Sequence, residues 1–390
     1  MTDLQLKALV EAEKDWIIGL RRKLHCIPED GFKEFKTQKL IIDTLEEIGI
    51  PYTTDQTWVI GMIEGQQPGE TVALRADMDA LPITEPMGCL FRSEHEGMMH
   101  ACGHDAHVAM ALGAAKVLYS LRNELQGNVK LLFQPAEETV GGAEPMVQAG
   151  AMENPHVDRV YGIHVMPNLP VGTIETRIGT LNASTDTVKI TVRGKAGHGA
   201  YPDLGVDAIV CAAQVVTALQ SVVARNVSPL QSAVLTIGVI EGGTAQNIIC
   251  DEVRMRGTLR TANAELRAMM KERITTIATN VAIGMGCSAD VEIIPGYAAL
   301  VNDAHEAARV KRVAARLFGE EHVVEKAAPS MGGEDFSFFS DCAPGAFYHV
   351  GCVAPEWMPA PPLHSKDFRI DENCLTIGTL MHVALALDKD

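Results

Sequence analysis

Residues 71–77, with the sequence TVALRAD, form a short apolar run that ends in charged residues. This pattern predicts a buried strand that stops where polar residues begin. Two similar runs follow at 128–133 and 159–163, and residues 104–121 between the first two have helical periodicity. Strands that alternate with helices predict an α/β domain with a mostly parallel sheet flanked by helices.

A different order of elements runs from residue 181 to residue 294. The patterns there predict strand, helix, strand, strand, helix and strand, which is the split βαβ or ferredoxin-like arrangement. The length of 390 residues also exceeds what one core usually carries. We therefore predict a discontinuous main domain, formed by residues 1–180 and 295–390, with an inserted α+β domain at 181–294. Residues after the helix at 304–318 are expected to be rich in loops, with a final helix near 372–387.

The overall charge excludes some partners. The formal net charge is −17 and the calculated pI is about 5.2. Such an acidic surface repels the phosphates of nucleic acids and of anionic membranes. The most apolar stretch, 208–224, is interrupted by Gln214, Thr217 and Gln220, and we expect it to be too short and too polar to span a bilayer.

The cysteines indicate a reducing compartment. Nine cysteines are scattered along the chain without a CxxC motif, which favours free thiols. Residues 1–22 are rich in charged side chains and lack the apolar core of a signal peptide. We therefore expect a cytoplasmic protein.

Side chains that can bind metal ions stand where the predicted strands should end. Loops at the carboxyl ends of parallel strands meet at one edge of a sheet, so these groups are expected to converge. They are Asp77 and Asp79 after the first strand, Glu137 and Glu138 after the second, His164 after the third, and Cys102 and His104 before the helix.

These residue types suit metal-assisted hydrolysis. Thiolate, imidazole and carboxylate all bind first-row divalent ions. Two such ions can polarise an amide carbonyl and acidify a water molecule, and a free carboxylate can carry the proton. Adjacent residues of an extended chain point to opposite sides, so one residue of the Glu137–Glu138 pair can bind metal while the other faces the substrate.

Each residue also has a simpler interpretation. A single cysteine is most often a small buried apolar residue, and a Glu-Glu pair is most often a solvated helix face. His164 could be a core histidine and His364 a loop histidine. The other eight cysteines are interpreted in the same way as small apolar residues. The remaining histidines are interpreted as structural or surface residues, at positions 25, 95, 107, 156, 305, 322, 349 and 382.

Nine segments together resemble the M20 metallopeptidases, in particular the amidohydrolase branch with hippurate hydrolases, N-acyl-amino-acid amidohydrolases and plant auxin-conjugate hydrolases. The resemblance extends over nearly the whole chain. The segments are RRKLHCIPEDGF (21–32), RADMDALP (75–82), MHACGHD (99–105), FQPAEE (133–138), GIHV (162–165), GKAGHGA (194–200), GGTAQN (242–247), GEDF (333–336) and PLHS (362–365).

The resemblance implies a role for each site residue. Cys102 would bridge two metal ions, with His104 and His164 on one ion and Glu138 and His364 on the other. Glu137 would be the general base and acid, and Asp79 would orient a ligand imidazole. His198 would help to stabilise the oxyanion, while Asn247 and Arg260 would hold the substrate carboxylate. The ions implied are manganese or zinc, with cobalt and nickel as further candidates.

The function that follows is hydrolysis of the amide bond in an N-acyl or N-aroyl amino acid. The resemblance also implies that the inserted domain is a lid and dimerisation module, in a homodimer or homotetramer. A dipeptidase or aminopeptidase with the same binuclear site is the nearest alternative. A binding or scaffolding protein that has lost activity is a third hypothesis, against which the complete set of site residues argues.

Overall fold

The protein is described by a computed structural model that covers residues 1–389 and separates into two compact units. Unit 1 comprises Met1–Gly179, Val301–Ala327 and Phe338–Asp390, and unit 2 comprises Thr180–Leu300 and Ala328–Ser337. The helices are α1 (Asp3–Ala12), α2 (Lys14–His25), α3 (Phe35–Ile48), α4 (His104–Ser120), α5 (Ala143–Gln148), α6 (Ala208–Asn226), α7 (Ala264–Gly284), α8 (Ala304–Phe318), α9 (Ser337–Ser340) and α10 (Asn373–Leu387). The strands are β1 (Tyr52–Asp55), β2 (Trp58–Glu64), β3 (Gln67–Asp77), β4 (Gln126–Gln134), β5 (Arg159–Pro170), β6 (Ile174–Thr176), β7 (Gly179–Asn182), β8 (Ser184–Arg193), β9 (Gly197–His198), β10 (Ala233–Gly242), β11 (Ile248–Ile249), β12 (Glu252–Thr261), β13 (Ser288–Pro295), β14 (Leu300–Asn302), β15 (Val323–Glu325) and β16 (Gly345–Val353).

Unit 1 is built on an eight-stranded sheet in the order β1-β2-β4-β3-β5-β16-β6-β15. Strands β4, β3, β5 and β16 run parallel to one another in the middle of the sheet. Strands β1 and β2 form an antiparallel edge on one side, and β6 pairs antiparallel with β16 on the other. The apolar run at 71–77 is buried throughout, because β3 lies between two other strands in the centre of the core. The predicted α/β fold with a mostly parallel sheet is confirmed.

Helix α4 is the central helix of unit 1. All but a few of its residues are buried, and it packs against α2, α10 and β3. A helix that is apolar on every side needs such a position in the interior of a domain. Its first residue, His104, is therefore held in the core at the edge where β3 ends.

Strand β16 corrects the prediction that the C-terminal part consists mainly of loops. It lies between β5 and β6, and every residue from Gly345 to Val353 is buried. A strand covered on both faces has no alternation of apolar and polar residues, and this one also contains two glycines, so its pattern gives no clear signal.

Strand β5 is longer than predicted, and His164 lies within it and not after it. The strand extends to Pro170 because β16 continues to pair with it, with His349 opposite His164 and Val350 opposite Val165. Strand β3 ends at Asp77, which is two residues beyond the pair formed by Arg75 and Gly162. The side chain of His164 is therefore near the end of β3 even though its own strand continues.

Unit 2 contains a four-stranded antiparallel sheet in the order β10-β12-β8-β13, on which α6 and α7 pack. Its extent differs from the predicted 181–294, because it reaches Leu300 and includes Ala328–Ser337. The second segment lies within the range 295–390 that is predicted for the main domain. It joins unit 2 through backbone hydrogen bonds from Ser330 N–H to Leu181 O (2.8 Å) and from Ala183 N–H to Ser330 O (2.9 Å). A role of this unit as a lid or dimerisation module stays a prediction.

Helix α6 corrects the expectation about the apolar stretch at 208–224. The helix has 19 residues, and an 18-residue stretch of it has a mean hydropathy of 1.5, so by length and composition alone it could cross a membrane. It has these properties because it continues to Asn226 and has few charged residues. Its buried residues, among them Cys211, Val215 and Leu219, pack in the core of unit 2, and core helices often pass the same test.

Candidate metal centre

The turn before α4 brings a cysteine and a histidine to the end of β3. Gly103 has φ of +91°, and a Cβ atom there would lie 2.4 Å from Val165 Cγ2. Both the backbone conformation and the lack of space require glycine. The turn at Gly103 allows Cys102 to lie beside β5 and His104 to begin the helix.

Five side chains of unit 1 form what we call the central cluster: Cys102, His104, Glu138, His164 and His364. Ligand atoms of Cys102, His104 and His164 all lie within 4.8 Å of one another, and so do those of Cys102, Glu138 and His364. Cys102 Sγ is 3.3 Å from His164 Nε2, and Glu138 Oε1 is 3.0 Å from His364 Nε2. Cys102 therefore belongs to both groups.

Glu137 lies beside the central cluster. Its carboxylate forms a third group with His104 and Glu138 within the same 4.8 Å. Both glutamates are partly exposed, whereas His104 is buried. A carboxylate that is close to potential metal ligands and still reaches solvent is suited to proton transfer.

Asp79 connects the histidine at the start of α4 with the glutamate pair. Its Oδ1 is 3.3 Å from His104 Nδ1 and accepts a hydrogen bond from Glu137 N–H (3.1 Å), and its Oδ2 accepts one from Glu138 N–H (3.0 Å). The buried carboxylate of Asp79 thus orients the imidazole of His104 so that its Nε2 faces the central cluster. The same carboxylate fixes the backbone of both glutamates.

The residue before the glutamate pair is held by Glu34, which lies outside the set of predicted site residues. Ala136 has φ of +58°, an unusual conformation for alanine, and its N–H donates to Glu34 Oε1 (2.9 Å). Glu34 Oε2 accepts a hydrogen bond from Thr57 Oγ1 (2.7 Å). Burial raises the pKa of Glu34 to about 7, against the opposing effect of the Thr57 hydrogen bond.

A second aspartate, Asp77, lies next to the central cluster and contacts two residues that border it. Its Oδ1 is 2.6 Å from His107 Nδ1, and its Oδ2 accepts from Arg75 Nη1 (2.7 Å). His107 Nε2 in turn accepts the backbone N–H of Val165 (2.9 Å). His107, which the sequence indicates only as a structural or surface histidine, is buried and fixes β5 next to His164.

The buried charges of the cluster favour a cation. Burial raises the pKa of the Cys102 thiol well above its ordinary value of 9.0, and the carboxylates of Glu138 and Glu137 raise it further. Burial alone would lower the pKa of His104, but the charges of Asp77 and Asp79 raise it to about 10. The Cys102 thiol and the His104 imidazole therefore keep their protons unless a metal ion replaces those protons as the positive charge.

A buried nitrogen of His104 that lacks a hydrogen-bond partner in the described part of the chain also indicates a site for a cation. Among the described residues 1–389, none forms a hydrogen bond with the buried Nε2 of His104. An orphaned buried nitrogen of this kind is costly, and it faces the carboxylate of Glu138 at 3.8 Å. The residues present therefore fit a bound divalent ion.

His364 differs from the other members because its side chain is 51% exposed. It has φ of +62°, and its backbone N–H donates to Ala101 O (2.9 Å). The bond to Ala101 fixes the C-terminal loop next to the turn that carries Cys102.

The remaining predicted site residues belong to unit 2. His198 in β9 pairs with Ile248 in β11, and Gly199 N–H donates to Asn247 O (2.8 Å), so His198 and Asn247 are neighbours. Ala200 N–H donates to His198 Nδ1 (3.0 Å), so the neutral imidazole carries its proton on Nε2. Both residues are exposed.

Arg260 in β12 is partly buried, and its Nε donates to Thr258 Oγ1 (3.1 Å). Burial lowers its pKa from the ordinary value of 12.5. The structure thus brings the five predicted ligands, Glu137 and Asp79 together in unit 1. The roles of His198, Asn247 and Arg260 in catalysis and substrate binding stay predictions.

Comparison with known families gives an extended match. The profile described as Peptidase family M20/M25/M40 matches residues 73–388. The chain is 39% identical over 389 residues to thermostable carboxypeptidase 2 of Saccharolobus solfataricus, and the match covers 98% of each chain. It is 41% identical over 338 residues to N-acetyldiaminopimelate deacetylase of Halalkalibacterium halodurans, covering 86% of this chain and 90% of the relative.

Two further relatives are a plant protein and a solved structure. IAA-amino acid hydrolase ILR1-like 2 of Arabidopsis thaliana is 40% identical over 379 residues, which cover 96% of this chain and 85% of the plant protein. The crystal structure of the Bacillus subtilis YXEP protein, described as a dinuclear metal binding peptidase, has a TM-score of 0.85 and 35% identity. That match covers 97% of this chain and 98% of the other.

Proposed function

The chain belongs to peptidase family M20, and from that premise we propose that it hydrolyses the amide bond of N-acyl or N-aroyl amino acids. The products are a carboxylic acid and a free amino acid. That it is a hydrolase acting on amide bonds follows from the family and its relatives. The observation that carries the proposal is the position of Cys102, which belongs to two ligand groups at once, with Glu137 beside them.

The central cluster would hold two divalent ions. We assign His104 and His164 to one ion, Glu138 and His364 to the other, and Cys102 to both. A thiolate ligand suits zinc, and the carboxylate and imidazole ligands also suit manganese, cobalt or nickel. The ions, when bound, polarise the substrate carbonyl and lower the pKa of water.

Glu137 carries the proton in this proposal. It takes a proton from the attacking water while the hydroxyl oxygen bonds to the carbonyl carbon. It then gives that proton to the amide nitrogen as the C–N bond breaks, so the amino acid leaves as a neutral amine. The hydrogen bond from Glu137 N–H to Asp79 holds the base in position for both transfers.

Residues of unit 2 are proposed to complete the site. His198 would donate Nε2–H to the developing oxyanion, and the bond from Ala200 N–H to its Nδ1 favours that tautomer. Arg260, together with Asn247, would bind the carboxylate of the substrate, because a guanidinium group binds carboxylates through two parallel hydrogen bonds.

The names of the relatives support amino-acid conjugates as the substrate class. One is a deacetylase of N-acetyldiaminopimelate and another a hydrolase of IAA-amino acids. A third is a carboxypeptidase, which makes peptides the competing class of substrate.

A substrate panel tests the proposal. The protein is loaded with manganese or zinc, and release of free amino acid is followed from acetyl, benzoyl and indoleacetyl amino acids and from dipeptides. We expect the acylated amino acids to be hydrolysed and their analogues without the α-carboxylate to react much more slowly. Turnover of dipeptides alone, with a requirement for their free amino group, would show that the protein is a dipeptidase or aminopeptidase.

We also propose a cytoplasmic enzyme that acts as a homodimer or homotetramer on a small molecule, without nucleic acid or membrane partners. All nine cysteines are free thiols, which is typical of a reducing compartment. The net charge of −17 disfavours nucleic acids and anionic lipids. Light scattering of the purified protein measures the assembly directly.

A further inference from the structure

A second group of metal-binding side chains lies in unit 1 outside the central cluster. It consists of His25 at the end of α2 with Glu85 and Cys89 in the segment between β3 and α4, and we call it the His25 cluster. Their ligand atoms lie within 4.8 Å of one another. Imidazole, carboxylate and thiol converge there from two separate parts of the chain, which a surface grouping of acidic residues would not require.

His25 is oriented as ligand histidines usually are. Its Nδ1 is 2.7 Å from Asp105 Oδ2, and its Nε2 points to Glu85 Oε1 at 3.1 Å. A carboxylate on one ring nitrogen fixes the imidazole so that the other nitrogen can bind metal. The ring is only 4% exposed, so its direction is set by packing as well.

Glu85 is fixed by a separate contact. Its Oε2 accepts the backbone N–H of Ser93 (2.7 Å), and the residue is 5% exposed. Oε1 is thereby left to face His25. Two of the three ligand atoms are therefore held in place before an ion binds. The contact at Nδ1 orients Nε2 of His25, and the hydrogen bond at Oε2 orients Oε1 of Glu85.

The cluster borders a cavity of about 650 Å³, which is lined by all three of its residues and by Arg21, Phe91 and Phe368. The cavity offers room for an ion and for water on its open side. His25 and Glu85 face each other as a buried pair, and the Cys89 thiol reaches the same point from a more exposed part of the loop.

We propose that His25, Glu85 and Cys89 bind one thiophilic divalent cation of the zinc class, with a fourth position open to the cavity. One nitrogen, one oxygen and one sulfur ligand suit zinc, whereas magnesium and calcium prefer oxygen alone. The ion exchanges for the thiol proton and needs no redox partner.

The ion would fasten a loop whose neighbouring apolar side chains are exposed. Met87 and Leu90 on either side of Cys89 are 84% and 102% exposed. An ion shared by Cys89 and His25 joins this loop to the end of α2. This site is independent of amide hydrolysis at the central cluster.

Counting ions in the full-length protein tests the proposal. After dialysis against zinc, we expect the wild-type chain to hold one ion more than the Cys89→Ser variant. Cys26→Ser is the matched control, since this neighbouring thiol donates to Phe91 O (3.3 Å) and is outside the cluster. Equal counts for wild type and Cys89→Ser, or an equal loss in Cys26→Ser, would overturn the proposal.

Chemical protection provides a second measurement that does not depend on the count. Zinc should slow the alkylation of Cys89, and Glu85→Gln should remove most of that protection. Alkylation at the same rate with and without zinc would contradict the site. Neither measurement uses substrate, so both are decided separately from the amidohydrolase proposal.

Discussion

The central cluster and the His25 cluster are assembled in a similar way but have different surroundings. In both, an aspartate faces Nδ1 of a histidine, at 3.3 Å for Asp79 and His104 and at 2.7 Å for Asp105 and His25. Both then add a thiol and a glutamate. The similarity means that the choice of ligand residues alone does not distinguish a catalytic site from a site that only binds an ion.

The difference lies in the neighbouring charges. Arg21 Nε is 2.8 Å from Asp105 Oδ2, so the aspartate behind His25 is already paired with a cation. Asp79 instead accepts two backbone N–H groups, and the central cluster has an additional carboxylate in Glu137. We infer that the central cluster binds cations more strongly and that it alone has a base in position for catalysis.

The largest expected difference between the clusters is in turnover. Glu137→Gln should lower kcat about a thousandfold, because the amide cannot accept the proton of water, while the metal content stays that of wild type. Steady-state kinetics and metal analysis measure the two effects. Glu144→Gln, an exposed glutamate in α5, is the control. A rate near that of wild type in Glu137→Gln would exclude Glu137 as the base.

A stability titration examines Glu34, which holds the loop of the central cluster. The pKa of Glu34 is raised from an ordinary 4.5 to about 7, so the folded state binds more protons than the unfolded state between these values. Stability from this group is therefore present below about pH 4.5 and lost as the pH rises through 7. Relative to wild type, Glu34→Gln should gain about 3 kcal/mol in free energy of unfolding between pH 4.5 and pH 8.

Urea denaturation of both proteins across this pH range provides the measurement. Glu175→Gln is a useful comparison, because Glu175 is also buried but has its pKa lowered. Burial opposes that shift, and the hydrogen bond and charge of His349 cause it. A difference between wild type and Glu34→Gln that does not vary with pH would show that Glu34 is ionised throughout.

A somewhat smaller decrease in kcat is expected when His198 of unit 2 is replaced. His198→Ala should reduce kcat about a hundredfold if His198 donates to the oxyanion. His156→Ala, an exposed histidine in unit 1, serves as the control. An unchanged kcat would place His198 outside the catalytic site and leave the chemistry to the central cluster alone.

The smallest effect concerns the orienting aspartates. Asp79→Asn should weaken metal binding at the central cluster by between about tenfold and about a hundredfold, as is usual for groups that orient a ligand histidine. The ion proposed for the His25 cluster should remain, because Asp105 is unchanged. Zinc titration monitored by metal analysis separates the two, with Asp43→Asn on the surface as a control. Equal weakening at both clusters would show a general loss of structure.

Much of unit 1 could be predicted because its signals are local. The run at 71–77, the start of α4 at His104 and the polar residues after β4 each depend on a few adjacent residues. Because Asp79, Glu137 and Glu138 follow predicted parallel strands, they are expected at one edge of the sheet. Resemblance was needed to add His364, whose loop has no periodic pattern.

Contacts between distant residues could not be predicted. Glu34 and Ala136 are 102 residues apart, and no spacing connects them. Residues 328–337 pair with unit 2 through backbone hydrogen bonds of Ser330. Backbone hydrogen bonds do not depend on the side chain, so the sequence carries no signal for this pairing. The partners of His25, which are Glu85 and Asp105, are likewise remote in sequence, so no local pattern indicates the His25 cluster.

The loop that carries the glutamate pair is held by its main chain. The N–H groups of Ala136, Glu137 and Glu138 are bound by the carboxylates of Glu34 and Asp79. The course of the loop is thus largely independent of which side chains occupy 137 and 138. A laboratory selection for new reactions could therefore exchange the catalytic side chains at 137 and 138 while the loop that carries them keeps its course.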